Sequence, residues 1–158
     1  MIRKLLNLFI PHFFLKEEIP PIKNSDLLET INDVKNCHSL HEAMTSALQI
    51  LSSKYQSKRF ETYLFFHKLY EKDPNKLWKR SGFMHCTQQN YLFRVLLVKS
   101  GWLKEEQIQL GFSLIWYISP HQFLKIILPK GKIAVDPWNY AFGVPFGRYA
   151  SGFGSKRL

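Results

Sequence analysis

From Leu40 to Leu51 the apolar residues Leu40, Ala43, Met44, Ala47, Leu48 and Leu51 recur at three- and four-residue intervals, which predicts one buried helix face. Ser39-Leu-His-Glu42 at its start reads as a capping box, with Ser39 accepting from the orphan amides and Glu42 reaching back. A second helix is predicted over Phe60 to Glu71, ended by Asp73-Pro74 because the residue before a proline is driven out of the helical region. A third begins near Cys86 and runs to about Lys99. Along it Leu92, Val95, Leu96 and Lys99 share a face, and Gly101 stands where a C-terminal glycine cap belongs.

Beyond Gly101 the period changes. Gln109 to Ile118 and His121 to Leu128 are rich in aromatic and β-branched residues and read as strands. Phe112, Leu114, Trp116 and Ile118 alternate onto one face, as a sheet with one inward side requires. Leu128-Pro-Lys-Gly131 is a turn, with proline second and glycine fourth. Lys132 to Asp136 is a further short strand, and Gly143, Gly147, Gly152 and Gly154 make the C-terminus loop-like. Pro20-Pro21 divides a leader, residues 1–21, from a single domain over 22–158. The expected class is α+β, with N-terminal helices packed on a small antiparallel sheet.

Composition changes this picture little. At 158 residues, with 46% hydrophobic and 22% charged, the chain suits one ordinary globular domain and is not disordered. A net charge of +10 favours anionic partners, yet Lys54, Lys58, Arg59, Lys76, Lys79, Arg80, Lys130, Lys132, Lys156 and Arg157 are scattered and form no dense tail. The 2 cysteines, Cys37 and Cys86, are too few for a disulfide framework and are expected to be free thiols in a cytoplasmic protein. The apolar run Leu5 to Leu15 is broken by Pro11-His12 and is too short to span a bilayer, which leaves peripheral membrane contact through residues 1–15 open.

Chemistry concentrates on Cys86. A helix N-terminus presents unsatisfied amides and a positive dipole end, which favours thiolate over thiol, the nucleophilic form. A cysteine nucleophile needs an imidazole to hold its proton and a third group to orient that imidazole. His121 opens a strand, and Asp136 ends the next one. If Ile127 pairs with Lys132 across the turn, Asp136 opposes Phe123 and lies diagonal to His121, roughly 7–8 Å apart at Cα. A slip of one residue would send Asp136 to the other face. Cys37, His38 and His41 make a poor zinc set, and His85 beside Cys86 adds little as a ligand, so no metal and no organic cofactor is expected.

The order of Cys86 with its helix through Asn90-Tyr-Leu-Phe-Arg, then His121-Gln-Phe-Leu-Lys-Ile, then Val135-Asp136-Pro137-Trp138 resembles the transglutaminase-like superfamily, a papain-type core. The resemblance spans Leu77 to Trp138. It implies a Cys at a helix N-terminus with His and Asp on adjacent strands, acting as a triad. It also implies a second oxyanion donor beside the backbone amide of Cys86. No glutamine stands shortly upstream, so an aromatic side chain is implied and Trp78 is the candidate; Met84 replaces the glycine common in that family. Gln88 and Gln89 could contact substrate.

The expected function is therefore a cysteine-dependent amide hydrolase (protease or amidase) or a transamidase, acting on peptide or protein substrates through a thioester. The alternative is a catalytically inactive binding module that uses a basic, aromatic surface for nucleic acid, anionic membrane or peptide.

Overall fold

The computed structural model describes residues 18–64, 69 and 71–158. Helix α1 (Ser25–Lys35) is capped by Asn24, whose side chain accepts the Leu27 amide at 2.9 Å. Helix α2 (Leu40–Lys54) buries Ala43, Met44, Ala47, Leu48 and Leu51, the face its spacing predicts. Ser39 accepts the Glu42 amide, while the Glu42 carboxylate takes the His38 N–H rather than that of Ser39, one position outside the expected box.

Strand β1 (Tyr55–Gln56) pairs in parallel with β2 (Gly82–Phe83), and between them lie α3 (Glu61–Leu64) and α4 (Pro74–Lys79). Glu71 and Lys72 are not helical, so the helix expected over Phe60 to Glu71 does not reach its end; residues 65–68 and 70 lie outside the described residues. Asp73-Pro74, expected to stop a helix, starts one. Asp73 caps α4 through the Asn75 amide, and Pro74 occupies a first-turn position where a missing N–H costs nothing.

Helix α5 (Cys86–Lys99) runs through the middle of the molecule, with every residue from Thr87 to Leu97 buried. It ends in a Schellman motif: Trp102 N–H reaches Leu97 O and Gly101 N–H reaches Val98 O, with Gly101 at φ 84°. A 3₁₀ turn (Glu105–Gln107) leads into the antiparallel sheet of β3 (Ile108–Ile115), β4 (Ser119–Leu128) and β5 (Gly131–Val135). Ile127 pairs with Lys132 and Leu128 with Gly131, the register that the turn predicts.

Two corrections follow at the C-terminal end. Asp136 is not on a strand. Pairing stops at Val135, because Pro137 offers no N–H, and Asp136 becomes the N-cap of α6 (Pro137–Tyr140). The glycine-rich tail is not simply a loop. It forms a hairpin of β6 (Tyr149–Ser151) and β7 (Gly154–Lys156), whose turn is made by Gly152 at φ 59°.

The fold is thus α+β, and one apolar core joins α1, α2 and α5 to the inner face of the sheet through Leu27, Leu48, Leu92, Leu96, Leu124 and Ile126. Ile19, ahead of Pro20-Pro21, is buried in that same core. Among the described residues no helix is long and apolar enough to cross a membrane. The segment 1–15, expected as a peripheral membrane contact, lies outside the described residues.

Candidate active site

Cys86 is the first residue of α5, and His85 before it supplies no side-chain cap. At the start of the helix the Gln88 and Gln89 amides bond the His85 carbonyl. Helix α5 is pinned to β4 from within: Asn90, one turn along from Cys86, donates its Nδ2–H to Gln122 O at 2.9 Å. That bond fixes the distance between the helix start and His121, the neighbour of Gln122 on β4.

His121 is buried. Its Nε2 lies 2.9 Å from both Oδ1 and Oδ2 of Asp136. Cys86 lies close enough to the same imidazole to raise its basicity, and with Nε2 committed to Asp136 the nitrogen left to serve the thiol is Nδ1. Burial alone would lower the basicity of His121. The Asp136 charge and hydrogen bond, with Cys86 adding to them, outweigh it and push the pKa up to about 10.

Asp136 is held by more than the imidazole. Its carboxylate also accepts the backbone N–H of Asn139 at 3.2 Å, the Asn139 Nδ2–H at 3.1 Å, and the backbone N–H of Ala150 at 2.9 Å. A carboxylate with this many donors is fixed in rotamer. Trp138 closes the side of the pair, with its ring centroid 6.0 Å from that of His121 and its own edge covered by Phe142.

The thiol opens into a cleft of about 190 Å³ lined by Arg59, Phe60, Tyr63, Ile115, Trp116, Ile118, Ser119, Pro120, His121 and Trp138 along with Cys86. The rim is a tight hairpin in which Trp116 and Tyr117 both take left-handed backbone angles, φ 52° and 61°. Bulky residues seldom adopt that region. The bonds that hold it run to the C-terminal hairpin: Trp116 N–H to Gly152 O and Gly152 N–H to Leu114 O, each 2.7 Å. Tyr63 Oη meets Ser119 Oγ at 2.9 Å and ties α3 to the same rim.

The structure thus brings Cys86, His121 and Asp136 together at one end of the sheet. The other expected site residues stand elsewhere. Trp78 does not line the cleft. It is buried in the main core against Tyr55, under the Lys54 ammonium at 4.8 Å, a placement that gives no support to Trp78 as oxyanion donor. Gln89 is fully buried, donates to Met84 O and Ser57 Oγ, each at 3.2 Å, and is not among the residues lining the cleft. Gln88 is buried against the far side, facing a separate polar hollow with Lys79, Arg80, Ser81 and His85.

Among the described residues no three His, Cys, Asp or Glu side chains gather to hold a metal ion. Asn139 and the Ala150 amide were not foreseen. Asn139 had a readable signal, since Asp136-Pro137-Trp138-Asn139 is an N-cap followed by its N3 residue. A backbone amide has none. Comparison of the chain with protein-family models, curated proteins and solved structures finds no match in any of the three.

Proposed function

We propose that this protein is a thiol hydrolase or transamidase of transglutaminase-like, papain-type mechanism, acting on peptide or protein amides. One observation carries the reading: a buried imidazole bonded to a carboxylate and sharing a cleft with a thiol at a helix N-terminus, which adds to its basicity. A structural cysteine has no use for that arrangement, and a nucleophile needs every part of it.

In the resting site the proton shared by Cys86 and His121 sits on Nδ1, because Asp136 stabilises the imidazolium. The Cys86 sulfur attacks the carbonyl carbon of the amide. The developing oxyanion is met by the backbone N–H of Cys86 and the dipole of α5. As the C–N bond breaks, Nδ1–H passes its proton to the leaving amine, and a thioester remains on Cys86. Water or a second amine then gives a proton to Nδ1 and attacks the thioester, and the thiolate leaves. Asp136 keeps Nε2–H in place throughout and is not itself protonated. Water gives hydrolysis and an amine gives transfer.

The test is turnover of a peptide library by wild type, Cys86→Ala and Cys37→Ala. The reading expects loss of turnover with Cys86→Ala alone. Turnover that survives Cys86→Ala unchanged would overturn it, and no turnover by wild type would overturn it in favour of a catalytically silent binding module.

A further inference from the structure

We propose that Arg59 binds a carboxylate of the substrate in the cleft beside Cys86. Among the described residues lining the cleft, whose walls are mostly aromatic and aliphatic, Arg59 is the one cation besides His121, and His121 is already paired with Asp136. Its guanidinium carbon lies 4.5 Å from the ring centre of Trp116 and 4.9 Å from that of Phe142. Those contacts are cation–π contacts with two aromatic walls. Its Nε–H is buried with no hydrogen-bond partner among the described residues. The nearest acid in sequence, Glu61, is taken by Lys58 at 2.9 Å.

A buried donor with no acceptor among the described residues is costly unless a ligand supplies one. The planar fork of donors is matched by a carboxylate, and the apolar surroundings strengthen that pair. The cleft, about 190 Å³, is also large enough for a bulky apolar side chain, since a dry cavity of about 150 Å³ holds benzene. A substrate bearing an aromatic or aliphatic side chain and a nearby carboxylate fits both features. The net charge of +10 raises the local concentration of such anions. The proposal rests on the thiol-enzyme reading for the fate of that substrate, though not for its binding.

The experiment titrates Cys86→Ala protein with three probes, following fluorescence of Trp116 and Trp138. The probes are N-acetyl-Phe-Ala as the free acid, the same dipeptide as its C-terminal amide, and N-acetyl-Phe-Glu amide. At least one acid is expected to bind about 10- to 100-fold more tightly than the neutral amide. The acid preferred tells a terminal from a side-chain carboxylate. Arg59→Gln, made in the same background, is expected to erase the preference while leaving the amide's affinity unchanged; Arg59→Lys retains part of it.

Equal binding of acids and amide overturns the proposal without any Arg59 variant. So does an Arg59→Gln protein that weakens all three alike, because Arg59 would then only brace the rim. Turnover by wild type without acid preference removes Arg59's role and spares the enzyme reading. Arg59-dependent binding of acids without turnover does the reverse.

Discussion

The Asp136 carboxylate receives the backbone N–H of Ala150 at 2.9 Å, so the acid that orients His121 is itself fixed by the C-terminal hairpin. Asp136→Ala would leave the donors of His121, Asn139 and Ala150 buried and unpaired. Urea denaturation should show a loss of roughly 3–5 kcal/mol, the usual cost of removing one member of a buried pair. Asp136→Asn keeps an acceptor for Ala150 and should lose distinctly less. Equal losses would mean that the hairpin contact contributes little.

The basicity of His121 sets a pH signature. Burial opposes its charge, but Asp136 and Cys86 raise its folded pKa to about 10. A group raised on folding contributes stability in full below its unfolded pKa, about 6.5 for histidine, and loses it as pH rises through the folded value. Stability of wild type minus that of His121→Gln should therefore decline between about pH 6.5 and pH 10. Denaturant unfolding at several pH values measures the difference. A difference that grows with pH over this window would contradict the assignment.

The core of this site was legible where local signals and topology agreed. Pro129 and Gly131 fix the β4–β5 turn, and that turn sets Ile127 opposite Lys132, which brings Asp136 to the His121 end of the sheet. Cys86 opens the helix just after Gly82-Phe-Met-His85, as read from the sequence, and Gly101 marks its other end. What failed was remote or silent in the chain. Trp78 stood close to Cys86 in sequence, yet α4 turns its ring into the core. Arg59 reaches the cleft through a tertiary contact with Trp116 that no spacing announces. The C-terminal glycines read as loop because three-residue strands carry too little periodicity, although two of those glycines are what lets the hairpin dock.

Gly111 illustrates a close approach. A Cβ there would lie 2.3–2.7 Å from the ring of Phe123, which is stacked on Tyr149 at 3.9 Å and has little room to move. Gly111→Ala should destabilise by about 1–3 kcal/mol through overpacking. Gly154→Ala, with open space around it and no left-handed angle, should change stability by less than about 0.5 kcal/mol. Thermal melts of the two variants make the comparison, and similar losses in both would refute the packing argument.

The left-handed Trp116 separates backbone from side-chain roles. Asparagine tolerates that conformation, so Trp116→Asn should hold the hairpin to within about 1 kcal/mol while removing one wall of the cleft. Substrate KM should rise with stability nearly intact. A variant that unfolds but binds normally when folded would show that Trp116 serves the hairpin and not the cleft.

The most direct test of the triad is the pH dependence of iodoacetamide alkylation at each cysteine, read by mass spectrometry on folded protein. Cys37 makes the internal control: burial first, then the nearby Glu42 and Asp33 carboxylates, raise its pKa, so it should react only at alkaline pH. Cys86, beside an imidazolium that keeps its proton, should alkylate readily below about pH 7, and His121→Ala should abolish that low-pH reactivity. Alkylation of Cys86 that rises only near pH 8.5, as for a free thiol, and is indifferent to His121→Ala would contradict an activated Cys86–His121 pair.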